Sequence, residues 1–109
     1  MVAMNDIQAV VDRIAQAYDP ERVVLFGSHA RGTATSDSDV DLLVILAFDG
    51  KPFWKSLEIT NRVNPSFAVD VLARRPDNTQ RRYAQGDPLI REALDQGRVL
   101  YERSRARVD

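Results

Sequence analysis

The chain contains no cysteine. Disulfides, zinc–thiolate centres and thiol nucleophiles are therefore excluded. It has one histidine, His29, so a multi-histidine metal site is excluded as well. An excess of either charge is also missing: fifteen Lys and Arg stand against sixteen Asp and Glu, for a net charge near −1. Proteins whose main task is gripping nucleic acid usually carry a basic surplus. Direct nucleic-acid binding is therefore not expected, although a local basic pocket for a phosphorylated small molecule stays open. No apolar run approaches the roughly 20 residues needed to span a bilayer. The opening MVAMNDIQAV lacks a charged segment followed by a long apolar one, unlike a signal peptide. A cytoplasmic protein without membrane association is expected. Internal repeats and low-complexity linkers are lacking too.

What is present suits one compact domain: 109 residues, 44% of them hydrophobic. Helical spacing of Ile7, Val10, Val11, Ile14 and Tyr18 predicts a helix over 6–18, capped by Asn5 or Asp6. Asp19-Pro20 stops it, because the residue before a proline avoids the α region. Residues 22–26 (RVVLF) predict a short strand ended by Gly27. GSHARGTATSDS, residues 27–38, predicts a loop with one helical turn at Ser28. Strands are expected at 40–46 and 66–73. Between them a helix is expected over 53–63, burying Phe53, Trp54 and Leu57. Short helices over 76–84 and 87–96 and a strand over 98–101 complete the core, about 5–102. The tail, 103–109, is expected to fray. The order α-β-α-β-α-β-α-α-β implies an α/β (α+β) domain, a small mixed sheet with helices packed on it.

The stretch SDVDLLVIL, residues 38–46, poses a physical problem. It reads as a buried strand, yet it opens with Asp39 and Asp41. Alternate strand residues share a face, so these carboxylates lie about 6.6–7 Å apart along the chain. Like charges placed that close repel. A third carboxylate, Asp70, sits among apolar neighbours in FAVDVL. Desolvated and unpaired, it would cost several kcal/mol (~2–7 for a polar group) or rise in pKa. A hard divalent cation relieves all three, and carboxylate oxygens without soft ligands suit Mg²⁺ or Mn²⁺. Upstream, Gly27 permits close backbone approach, Ser28 adds a hydroxyl, and Arg31 adds a guanidinium that matches phosphate geometry. A phosphate-binding turn beside a carboxylate cluster suits phosphoryl or nucleotidyl transfer with two metal ions.

Taken together, LFGSHARGTATSDSDVDLLV resembles the signature of the minimal nucleotidyltransferases, a branch of the DNA polymerase β-like superfamily. The pattern is Gly27-Ser28, ten residues, then Asp39-Val40-Asp41, with a later strand aspartate matched by Asp70. The leading helix into VVLFGS and the closing ALDQGRVLYE also look like this family, so the resemblance covers roughly residues 7–102. One departure is His29, where many members have arginine; this bears on triphosphate binding. The resemblance implies the polymerase β-like nucleotidyltransferase fold and transfer of NMP from an NTP, ATP by default, to an acceptor hydroxyl. Asp39 and Asp41 would hold two Mg²⁺ ions, Asp70 would complete the site at the acceptor, and Gly27, Ser28 and Arg31 would hold phosphates. Members of this size resemble antitoxins of HEPN–MNT toxin–antitoxin pairs. The expected partner is then a HEPN ribonuclease toxin, adenylylated on a hydroxyl, that of a tyrosine, within a hetero-oligomer. A catalytically silent antitoxin acting by steric binding is the alternative, and an antibiotic-type nucleotidyltransferase is the weaker one.

Overall fold

The computed structural model describes residues 2–103, so the tail expected to fray lies outside the described residues from position 104 onward. The elements follow the expected order: α1 (Met4–Tyr18), β1 (Arg22–Phe26), α2 (Ser28–Arg31), β2 (Val40–Ile45), α3 (Pro52–Val63), β3 (Val69–Arg74), α4 (Pro76–Ala84), α5 (Pro88–Gln96) and β4 (Arg98–Glu102). The four strands form one mixed sheet in the order β3-β2-β1-β4. β1 pairs antiparallel with β2 and β4, whereas β2 and β3 are parallel. A parallel pair needs a crossover connection, and α3 supplies it.

The unbroken apolar runs of β1 and β2 follow from burial on both faces. Val23, Leu25, Leu42 and Val44 face one core with Ile7, Val10, Val11 and Ile14 of α1 and Ile59 and Val63 of α3. Val24, Phe26, Leu43 and Ile45 face a second, smaller core with Ile90 and Ala93 of α5. The sheet thus lies between α1 and α3 on one side and the α5 side on the other.

Three local expectations are corrected. Helix α1 begins at Met4, with Ala3 as its N-cap and no side-chain cap. Asn5 and Asp6 fall inside the first turn, where the Asp6 charge still complements the helix dipole. The third strand starts at Val69 rather than 66, because its ladder begins where Val69 meets Val40 of β2. Phe53, Trp54 and Leu57 are not buried: they are 66%, 62% and 42% exposed. Helix α3 instead packs through Ile59 and Val63, with Ser56 and Thr60 half-buried beside them. Both hydroxyls donate back to carbonyls four residues earlier, to Pro52 O at 2.8 Å and Ser56 O at 2.9 Å. These bonds make two polar residues compatible with the inward face.

Candidate active site

Three pieces of backbone meet at one end of the sheet: the exit of β1 and the entrances of β2 and β3. The pairing register sets Phe26 opposite Asp41, and Asp41 directly beside Asp70. Register partners in a sheet point their side chains to the same face, so both carboxylates stand on the α5 side. There they line a cleft of about 450 Å³ with Gly27, Ser28, Arg31 and Glu92, and Leu72 and Leu89 supply apolar wall. The cleft therefore gathers five of the six residues singled out in the sequence. The sixth, Asp39, is exposed, precedes β2 rather than opening it, and is not among the lining residues.

Asp41 is the electrostatic centre. Its carboxyl is held above the ordinary carboxylate range, first by burial, then by the charges of Asp70, Asp39 and Glu92. His29 acts in the opposite direction. Asp39 thus reaches the site through its field, although it does not line the cleft. Asp70 departs from expectation: it is exposed, not desolvated. It lies on the edge strand, while α5 packs over β1, two strands away.

Gly27 explains how Asp41 fits. Its φ of 77° and ψ of −156° lie in a region that only glycine adopts readily. A Cβ built there would overlap Asp41 Oδ2. The glycine therefore both turns the chain out of β1 and leaves room for the carboxylate. The following turn, α2, has Ala30 and Arg31 amides bonded to Gly27 O, each at 3.1 Å. Arg31 projects into the cleft and meets Glu92 Oε2 at 2.5 Å. Both side chains are partly exposed, so this pair adds little stability. His29 Nε2 lies 3.3 Å from Ser38 O and so ties the turn to the end of the loop that delivers Asp39.

The donor chemistry fits a hard divalent cation. The donors nearby are carboxylates with the Ser28 hydroxyl and the His29 imidazole, and negative charge accumulates around a partly buried Asp41. Among the described residues, however, no three acidic or histidine side chains are grouped closely enough to hold a metal ion. Asp41 and Asp70 are adjacent, and Asp39 stands apart at the strand entrance.

The nucleotidyltransferase domain family matches residues 7–100. The chain belongs to this family. Solved structures agree on the fold. A candidate nucleotidyltransferase of Sulfolobus solfataricus superposes with a TM-score of 0.63 at 18% identity, covering 91% of this chain and 79% of that one. A toxin–antitoxin crystallised with AMP-PNP gives a TM-score of 0.56 at 18% identity, covering 87% and 73%. A mutant of the toxin–antitoxin MntA-HpeT gives the same values. No curated protein matches the sequence. The small mixed sheet with helices on both faces is thus the nucleotidyltransferase fold.

Within this nucleotidyltransferase, sequence reasoning missed Glu92. It adds negative charge to Asp41 and engages Arg31. On an amphipathic helix, a lone glutamate beside the buried stripe of Ile90 and Ala93 reads as solvent-facing, and no local pattern marks it. Among the described residues, no helix of the nucleotidyltransferase is long and apolar enough to cross a membrane.

Proposed function

We propose that this nucleotidyltransferase is the antitoxin of a toxin–antitoxin pair. It binds a HEPN ribonuclease toxin in the cytoplasm and transfers AMP from ATP to a toxin hydroxyl, that of a tyrosine, releasing pyrophosphate. The single observation that carries the reading is the pairing of Asp41 with Asp70 in one cleft beside Gly27-Ser28. Two structural relatives that are toxin–antitoxins, one of them with AMP-PNP, support the choice of partner and nucleotide.

Asp41 and Asp70, with Asp39 at the strand entrance, would hold two Mg²⁺ ions, with Mn²⁺ as the substitute, which would supply neutralisation of phosphate charge and easier loss of the acceptor proton. The remaining steps belong to the chain. Gly27 admits the phosphates to the backbone, and the Ser28 hydroxyl donates to a phosphate oxygen. Arg31 leaves Glu92 for the polyphosphate. The toxin oxygen attacks the α-phosphorus, the bond to the pyrophosphate oxygen breaks, and the toxin proton passes to Asp70, the exposed carboxylate. Such chemistry needs positioning and charge complementarity more than a covalent nucleophile.

The test is incubation with labelled ATP, Mg²⁺ and the toxin encoded by the adjacent reading frame. Label should appear on the toxin and be lost with Asp41→Asn or Asp39→Asn. A wild-type chain that never transfers label refutes the enzymatic reading. The exposed Phe53 and Trp54 favour a second reading, a silent antitoxin that masks its toxin by binding alone. Under that reading Asp41→Asn neutralises the toxin as well as wild type does.

A further inference from the structure

Strand β3 is an edge of the sheet, and its ladder to β2 is one-sided. Val40 N–H donates to Ala68 O and Leu46 N–H to Arg74 O, each at 3.0 Å. In a parallel ladder each bonded residue directs its N–H and C=O to the same neighbour. The even-numbered residues 68–74 therefore bond β2, and Val69, Val71 and Ala73 direct their peptide groups outward. The Ala73 N–H is stopped by Ser56 Oγ of α3 at 2.9 Å. The peptide groups of Val69 and Val71 have no partner among the described residues; Val69 is half-buried, and Val71, whose side chain faces the core, is 6% exposed. An unpaired edge is a template for another strand, and native proteins usually block it. Here the block is partial.

The unblocked part lies in a groove of about 470 Å³. Its floor holds the consecutive residues Val69, Asp70, Val71 and Leu72, so it follows the strand edge itself. Exposed Phe53 and Leu57 of α3 form its apolar wall. Asp70 and Leu72 belong equally to the catalytic cleft, so groove and cleft are continuous. At the far end stands Arg74, about 13 Å from Asp70 by strand rise. Its guanidinium bonds only a backbone carbonyl, Ala73 O at 2.8 Å, and has no carboxylate ion pair among the described residues. Burial and then the nearby Arg82 push its pKa down, while the charge of Asp87 acts the other way.

The geometry points to a substrate-docking edge: the acceptor protein binds as an extended segment that adds to β3 at Val69–Val71. The segment places its hydroxyl residue at Asp70, an acidic side chain about four residues from it at Arg74, and an apolar side chain of the alternate face against Phe53 and Leu57. Strand addition supplies affinity through backbone bonds and specificity through alternate side chains. The inference rests on the reading of Asp70 as the residue facing the acceptor.

The probe is the toxin from the adjacent reading frame, mixed with ¹⁵N-labelled chain. In the complex the Val69 and Val71 amides should exchange roughly tenfold more slowly or more, whereas those of Asp70 and Leu72, already bonded to β2, change little. Val69→Pro removes an outward N–H at the first residue of the strand, a position where proline is tolerated. It should raise the KM for toxin about tenfold and leave the KM for ATP unchanged. Leu57→Asp, at an exposed position, should do the same if Val69→Pro fails to fold. Label transfer with unprotected Val69 and Val71 amides, or variants with unaltered KM for toxin, overturns the docking edge alone. Protected amides without label transfer uphold the edge and overturn the enzymatic reading.

Discussion

Replacing Gly27 with alanine separates two costs that coincide at the site. The first is backbone strain: φ 77° and ψ −156° cost a non-glycine residue about 1–3 kcal/mol. The second is collision. The new Cβ overlaps Asp41 Oδ2 and lies 3.3 Å from Asp41 Cγ, so the carboxylate must move. Forcing an extra methyl into such a space costs a further ~1–3 kcal/mol. Gly27→Ala should therefore lose about 2–6 kcal/mol, at least ~8 °C in Tm for a domain of this size. Asp41→Ala removes the obstruction, since the next atom, Asp41 Cβ, is at an ordinary 3.6 Å. In that background Gly27→Ala should cost only the strain, leaving a coupling of about 1–3 kcal/mol in a double-mutant cycle. Gly32→Ala is the control: it has φ 78° with nothing within 4 Å, and should cost ~1–2 kcal/mol in either background. Urea unfolding of the variants measures all of these. Equal costs for Gly27→Ala with and without the Asp41 carboxylate, within about 0.5 kcal/mol, would refute the close-approach reasoning.

Three further outcomes follow from the same contacts. The folded-state pKa of Asp41 is raised, so its protonated form favours folding below about pH 4, and that contribution disappears as pH rises through the raised value. Asp41→Asn should then match wild type in Tm at low pH and exceed it at neutral pH; the reverse ordering in thermal melts would contradict the repulsion inferred here. Glu92→Gln removes one of the charges acting on Asp41, so a carboxyl-detected NMR titration should show the Asp41 pKa falling toward its ordinary value, with stability changed by less than ~1 kcal/mol; an unmoved titration would remove Glu92 from the site. Ser56→Ala leaves the Ala73 N–H without an acceptor and should cost about 1–3 kcal/mol in denaturant melts, whereas Trp54→Ser, at an exposed position, should stay within ~0.5 kcal/mol. Equal effects from the two would mean that the hydroxyl does not seal the strand.

The parts of the fold that were legible in sequence are those decided locally. Gly27 and Asp19-Pro20 bracket β1, and four buried residues at helical spacing define α1, so β1 stands where expected and α1 ends at Tyr18 as expected although it starts two residues earlier. The candidate residues were marked in sequence by GS and DxD around a strand entrance, and five of the six line one cleft. What was misread depends on neighbours that are distant in sequence. Asp70 looked desolvated because its own flanks are apolar, but its exposure is set by β3 falling at the sheet edge. Helix α3 carries two candidate stripes, and hydrophobicity alone selected Phe53, Trp54 and Leu57. The stripe that packs includes Ser56 and Thr60, whose hydroxyls are satisfied within the helix and at Ala73. Glu92 was invisible because its role depends on where α5 docks. Asp39, grouped with Asp41 by the period of two, stands exposed one residue before the strand begins, and its charge still acts on Asp41.

The side-by-side placement of Asp41 and Asp70 is a matter of counting. Only the alignment of two parallel strands, joined through α3, keeps these acids abreast. A slip of β3 by a single position would turn Asp70 toward the interior shared with α1 and α3 and bring a valine, Val69 or Val71, into its place. Such a molecule would retain its helices and strand content while losing its chemistry. Insertions and deletions between residues 46 and 68 should therefore be tolerated to the extent that they leave the alignment of β2 with β3 unchanged.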